Sequence, residues 1–402
     1  MGTIPNQSVI CKCLDLLPLS DEAFPLFNHR RRLTLVKAVK LLVEAQLNQR
    51  ADLDEISQAL RANRELQQAV GLKSISPSQV VRTLDNLPLE VLQRVWLLLT
   101  QQVAQMYPEQ GVTGLGKLHL IDSTSLSLPE LAGKWAYCSK HSNGVKVHLK
   151  LVIADSDTVY PTQVICSTLG VADSEVALDL VVDKDAIHVL DRGYRVYRLY
   201  ETWLEQGLRF VARIQQNSRT LVLHEREVAP HTPVLRDADV LVSYKNAEKQ
   251  LVEVQLRLVE YTDEKGRQYR VITNVWDKTA EQISEIYHHR WLIEIFFKWM
   301  KQHVSLIHLY SSREKAVWNQ IFLALIGYAL VLLLRNETDA AQSPWSFLKL
   351  LRCYMCQAWN RFLQELQRKP EKFSKGRQKK GKTGRPQTKP KKYKTVKKYA
   401  NQ

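Results

Sequence analysis

Residues 287–301 read YHHRWLIEIFFKWMK, a run that leaves the chain little choice of environment. At roughly 100° per residue on an α-helix, Tyr287, Arg290, Glu294, Lys298 and Lys301 share one stripe about 80° wide. Trp291, Leu292, Ile293, Ile295, Phe296, Phe297, Trp299 and Met300 fill the other sides, and a helix apolar nearly all round belongs inside a protein. Charged side chains are rarely fully buried unless paired. The stripe therefore either closes an internal ladder of salt bridges or lines a cleft where one carboxylate works beside several cations. The helix alone leaves both readings open.

The surrounding chain has 402 residues, too many for one small core, so two or three units are expected. Its formal net charge of +16 is local. Fifteen of the 57 Lys and Arg lie between Arg368 and Lys398 against a single acid, Glu371, and the rest of the chain is close to neutral. Such a tail holds a polyanion through phosphate contacts. Residues 368–402 carry no apolar pattern and are punctuated by Gly and Pro, which predicts disorder until bound.

Six cysteines in so long a chain do not form a disulfide scaffold, and the first residues do not resemble a signal peptide, so a cytoplasmic protein is expected. Cys353 and Cys356 have the spacing of a zinc half-site without a second pair to complete it. The longest apolar run, Ile321–Leu334, has 14 residues; a membrane crossing needs about 20, so it reads as a buried helix and no membrane partner is expected.

Residues 1–112 read as a helical N-terminal domain, with three- and four-residue apolar spacing in 33–47 and 89–106. Between these runs, Gly71 reads as a helix stop and Ser76-Pro77-Ser78 as the cap of the next helix, a layout open to both a DNA-binding helix-turn-helix and an ordinary bundle. After Gly111 and Gly114 the pattern changes to strands. LHLID (118–122), VKVHLKLVIAD (145–155) and VYPTQVICSTL (159–169) predict an antiparallel meander. A helix-like 172–183, a strand ending at Asp191, a helix over 196–206 stopped by Gly207 and a fifth strand, FVARI (210–214), follow. Residues 217–275 are again β in pattern and read as an insertion. Beyond the 287–301 stretch come the buried helix, a helix within 341–367 and the tail.

Asp122 and Asp191 each end an apolar strand, the place where ligand sites gather in α/β sheets. Either one alone is accounted for by a turn or a helix cap. Two of them with Glu294 on a buried helix form a rarer set: three carboxylates with no adequate His or Cys cluster, hard oxygen donors suited to Mg²⁺ or Mn²⁺.

With these residues in place the chain resembles the DDE transposases of the insertion sequence 4 family. Their signature Y-x-x-R-x-x-x-E-x-x-x-x-x-x-K is matched by Tyr287, Arg290, Glu294 and Lys301. Asp122 in LIDSTSLSL resembles the first aspartate motif and Asp191 in VLDRGY the second, with FVARIQQN and ITN in the expected places; the resemblance covers about 117–335. It implies a ribonuclease-H-like catalytic core over 113–216 and 276–340, interrupted by the β-rich insertion. It also implies Asp122, Asp191 and Glu294 as catalytic residues and ligands of two Mg²⁺ or Mn²⁺ ions, with no need for ATP. Water would cut the element end, and the freed 3′-hydroxyl would attack target DNA, a cut-and-paste route that relatives run through a DNA hairpin.

By the same resemblance, Tyr287, Arg290, Lys298, Lys301 and Arg213 would contact DNA phosphates. Tyr269 would stack a flipped base, a task for which Trp is more usual. The implied partners are terminal inverted repeats and target DNA, with a homodimer in the synaptic complex, in the nucleoid-bearing cytoplasm of a bacterium. A metal-dependent nuclease without strand transfer, or a catalytically silent DNA-binding protein, are the competing functions.

Overall fold

Among the described residues, apolar positions at three- and four-residue spacing build six helices at the start of the chain: α1 (Val9–Leu14), α2 (Leu35–Leu47), α3 (Leu53–Ala62), α4 (Arg64–Val70), α5 (Pro77–Asn86) and α6 (Leu89–Met106). The computed structural model describes residues 7–23, 32–139, 142–155, 158–246, 248–303 and 308–368, and the basic tail expected over 368–402 lies outside these apart from Arg368. Gly71 ends α4 at φ +71°, a left-handed cap that glycine adopts without a Cβ clash. Ser76 opens α5 by accepting from the Gln79 N–H, with Pro77 in the first turn.

Ten strands among the described residues then form one sheet. They are β1 (Lys117–Leu128), β2 (Tyr137–Ser139), β3 (Ser142–Ile153), β4 (Val159–Thr168), β5 (Ala186–Leu190), β6 (Arg209–Arg213), β7 (Leu221–Glu225), β8 (Val234–Lys245), β9 (Leu251–Thr262) and β10 (Gln268–Thr273). Between β4 and β5 the helix expected over 172–183 shrinks to a 3-10 turn, Asp173–Glu175, and a single α turn, α7 (Ala177–Leu180). The helix α8 (Tyr197–Glu205) joins β5 to β6. Strands β1, β3 and β4 make the expected antiparallel meander, while β5 and β6 run parallel to β1.

The β-rich insertion is not a separate sheet. Strand β10 pairs antiparallel with β6, Val271 opposite Arg213, and the order β6-β10-β9-β8-β7 prolongs the first sheet. The insertion thus covers what would be an open edge of unpaired N–H and C=O groups on β6.

The chain continues through α9 (Ala280–His288), α10 (Trp291–His303), α11 (Glu314–Glu337), α12 (Pro344–Tyr354) and α13 (Trp359–Leu366). Helix α11 extends well beyond the apolar run and is long and apolar enough, by length and composition, to cross a membrane; here it is buried against α2, α5, α6 and α12. The amide nitrogen of its buried Asn319 donates to the Leu84 and Leu87 carbonyls at 2.8 and 3.0 Å and so fixes the end of α5. The helical N-terminal region and the helices after the sheet share one core in this way, and the chain up to Leu366 packs as one unit. A second core, around Tyr194, Tyr200, Trp203 and Phe210, fills the opposite face of the sheet.

The C-terminal helix expected within 341–367 is broken. The N-terminal segment pairs with the break, Val9 N–H donating to Gln357 O and Trp359 N–H to Gln7 O, each at 2.9 Å. Those backbone groups are thereby withdrawn from a helical ladder. All six cysteines are free thiols.

Candidate active site

Parallel register brings Asp122 and Asp191 side by side. The β1–β5 ladder ends with Ile121 opposite Leu190, so the next residue on each strand is a carboxylate. On the sequence LHLID reads as a strand that stops at Asp122. Instead β1 continues to Leu128 along β3, and it is the parallel partner that stops.

Glu294 arrives on α10, whose approach is fixed by the insertion. Buried Arg257 on β9 makes two 2.8 Å bonds to Asp237 on β8 and donates to the Lys278 carbonyl at 2.6 Å. Thr279 then caps α9 in a capping box with Gln282. The single helix expected from Tyr287 to Lys301 is interrupted: α9 ends at His288, α10 begins at Trp291, and Arg290 sits at the junction. Arg290 Nη2 donates to Glu294 Oε1 at 2.5 Å, and Nη1 lies 3.4 Å from Asp122 Oδ2. Tyr287 Oη donates to Asp191 Oδ1 at 3.0 Å.

The stripe is therefore a salt-bridge ladder that also borders a cleft. Tyr287 and Arg290, implied by the resemblance to face phosphates, are buried and turned to the carboxylates. Lys298 is exposed; Lys301 is half-buried, and burial lowers its ammonium pKa. Trp291 and Ile295 are not in the core, being 54% and 48% exposed. The reason is helical phase: Ile293, Phe296, Phe297 and Met300 form the buried face, which leaves Trp291, Ile295, Lys298 and Gln302 on the opposite one.

A cleft of about 890 Å³ opens beside this ladder, between the β9–β10 hairpin and the α9–α10 junction, with Tyr261, Arg267, Tyr269, Tyr287, Arg290 and Trp291 among its lining. Tyr269 stacks on Tyr261 with ring centroids 5.2 Å apart, and the Arg213 guanidinium lies 4.5 Å from the Tyr269 ring centre. The structure thus engages Arg213 and Tyr269 with each other. The aromatic with an open surface at the cleft is Trp291.

Burial pushes the Asp122 carboxyl up to about 7; Asp191 and Asp173 add to the rise, against the Ser123 N–H and Arg290. Burial also opposes the Arg290 charge, but Tyr287, Glu294 and Asp191 outweigh it and hold the guanidinium above its ordinary pKa. Two groups escape a reading of the sequence. Asp173 accepts from Ser123 Oγ at 2.8 Å and pairs with Lys146 at 3.3 Å, although ADSE reads as a helix start. Tyr194, in the DRGY that follows β5, is fully buried with an unpaired hydroxyl kept protonated by burial and by Asp122, Asp173 and Asp191. A buried O–H without a partner beside three carboxylates marks a place for a further group. Hard oxygen donors short of positive charge fit a divalent cation such as Mg²⁺ or Mn²⁺.

A mixed sheet with aspartates on adjacent strands and helices after it is consistent with a ribonuclease-H-like core, the fold of a class of nucleic-acid-processing enzymes. Residues 115–330, just over half of the chain, match the transposase DDE domain family, and the chain belongs to that family. Divalent metal use goes with it. A protein of Geobacillus stearothermophilus named as a probable transposase for insertion sequence element IS5377 is 24% identical over 356 residues, 87% of this chain and 90% of its own length. The Sinorhizobium fredii protein y4zB, named as a transposase, is 29% identical over 54% of this chain and 61% of its own. A Synechocystis protein named as a transposase for insertion sequence element IS4SA is 25% identical over 46% of this chain and 52% of its own. These matches bear out the resemblance to insertion sequence 4 transposases.

Proposed function

We propose that the protein cuts DNA at the ends of an insertion sequence and joins the freed 3′-hydroxyl to target DNA, using Mg²⁺ or Mn²⁺ and no ATP. The observation that supports this reading is the convergence of Asp122, Asp191 and Glu294, from two neighbouring strands and one helix, on the side chains of Arg290 and Tyr287. The three carboxylates are the metal ligands. Two divalent ions held there would supply Lewis-acid stabilisation to an in-line phosphoryl displacement. Arg290 positions Asp122 and Glu294, and Tyr287 positions Asp191. Lys298, on the open side of α10, and the half-buried Lys301 beside it bind backbone phosphates. The helical residues 1–112 bind the terminal inverted repeats, and two copies of the chain pair in the synaptic complex.

A duplex carrying one element end, incubated with the protein, Mg²⁺ and a target plasmid, tests the reading. Joined product with a new phosphodiester at the 3′-hydroxyl is expected. Cleavage without joining favours a nuclease, and binding without cleavage a silent DNA-binding protein.

The open indole of Trp291 is the stacking surface for a base displaced at the cut. Base–aromatic stacking is worth about 1–3 kcal/mol, so Trp291→Ala should slow end processing roughly tenfold while leaving binding of duplex distant from the cut unchanged. Equal rates for the two proteins on end substrates remove the role.

Protons and Mg²⁺ compete for Asp122. Its folded pKa of about 7 stands above the ordinary 3.8, so its contribution to stability is fully present below about pH 4 and is lost as the pH rises through about 7. The loss is on the order of 4 kcal/mol, at 1.36 kcal/mol for each pKa unit between the two values. Melting curves of metal-free protein should fall in Tm from about pH 5 to about pH 8, and Mg²⁺ should restore Tm at the higher pH far more than at the lower. A Mg²⁺ effect that is the same at both, or that persists unchanged in Asp122→Asn, takes Asp122 out of the metal site.

A further inference from the structure

Three residues before each strand aspartate stands a histidine, His119 in LHLID and His188 in IHVLD. The parallel register sets the two directly opposite each other, with ring centroids 5.4 Å apart and both side chains buried. Side chains alternate along a strand, so His119 faces the side of the sheet opposite to Asp122. The pair is separate from the carboxylate centre.

Each ring has one nitrogen engaged and one bare. His119 Nε2 is 3.1 Å from Glu109 Oε1, and His188 Nδ1 is 3.0 Å from the Arg209 carbonyl oxygen. Both acceptors call for an N–H on that nitrogen, which leaves the lone pairs on His119 Nδ1 and His188 Nε2. Neither of these atoms has a hydrogen-bond partner. Asp183, in the turn before β5, completes the group: its Oδ2 is 3.1 Å from His119 Nδ1, and one ligand atom from each of the three side chains lies within 4.8 Å of the others. A nitrogen lone pair set against a carboxylate oxygen is repulsive unless a cation lies between them. Lys150 Nζ, 2.6 Å from Asp183 Oδ2, offsets part of the acid but hydrogen-bonds to neither bare nitrogen.

The geometry points to a binding site for a divalent transition cation of the zinc class, held by His119 Nδ1, His188 Nε2 and a carboxylate oxygen of Asp183. Two imidazoles and one carboxylate suit Zn²⁺ over Mg²⁺. The Glu109 carboxylate and the Arg209 carbonyl supply the outer contacts that fix tautomer and ring orientation in metal-binding histidines. The Asp183 side chain, 37% exposed, gives the ion a way in and leaves a fourth position for water. Such an ion cross-links β1 and β5 just ahead of Asp122 and Asp191 and holds their register.

Equilibrium dialysis of the full-length protein against Zn²⁺ alone, followed by metal analysis, tests the site, with the visible absorption of bound Co²⁺ as a second readout of four-coordinate geometry. About one Zn²⁺ per chain is expected in the parent and equally in Asp122→Ala. His188→Gln and Asp183→Ala should lose it, and Glu109→Gln should bind about 10–100-fold more weakly. Should His188→Gln not fold, Asp183→Ala decides, since it alters a half-exposed side chain. Zn²⁺ retention equal in the parent and Asp183→Ala overturns the site. No retention by the parent also overturns it, leaving His119 as an imidazolium shared between Glu109 and Asp183.

Discussion

Asp122→Ala, Asp191→Ala and Glu294→Ala are each expected to bind element ends as the parent does and to cleave them about a thousandfold more slowly. Loss of one carboxylate ligand removes on the order of 4 kcal/mol of transition-state charge stabilisation, at 1.36 kcal/mol per tenfold in rate. Binding is expected to survive because the proposed DNA contacts come from other side chains, Lys298 and Lys301 among them. Gel-shift titration and single-turnover cleavage on the same end duplex separate the two effects. Cleavage by Glu294→Ala within tenfold of the parent would sink the assignment.

The second large effect belongs to the tail. Fifteen Lys and Arg between Arg368 and Lys398, against one acid, carry most of the net charge of +16. Each phosphate neutralised releases counterions and steepens log affinity against log salt by about 0.9, so removing five or more such contacts should weaken nonspecific binding roughly 10- to 1000-fold at low salt. A chain ending at Gln367 should show that loss and a flatter slope. Cleavage within a preassembled end complex should change little, since the carboxylates are untouched. Superimposable salt dependences for the full and shortened proteins eliminate the tether.

Much of the candidate site is legible in the sequence because its parts are local. Asp122 and Asp191 follow short apolar runs, and Tyr287, Arg290, Glu294 and Lys301 keep a helical spacing. The rest depends on pairing and phase. Periodicity continues across the His288–Trp291 break, so one helix is read where two stand with Arg290 between them. The same continuity hides which side of α10 is open and places Trp291 and Ile295 in the core. The insertion looks like a separate β unit because nothing in 217–275 announces that β10 pairs with β6. Tyr194 and Asp173 join the site through tertiary approach alone. The repeated His-x-x-Asp of the two strands is visible as a pattern, but only the parallel register makes His119 and His188 neighbours.

Metal ligation by the carboxylates is tested most directly by exchanging an oxygen donor for sulfur. Thiolate favours softer cations, and Mg²⁺ demands oxygen. Asp122→Cys should therefore fail to cleave an element end in Mg²⁺ and recover part of the parent rate in Mn²⁺, while the parent works in both. Cleavage by Asp122→Cys in Mg²⁺ at the parent rate contradicts a metal centre at Asp122, Asp191 and Glu294.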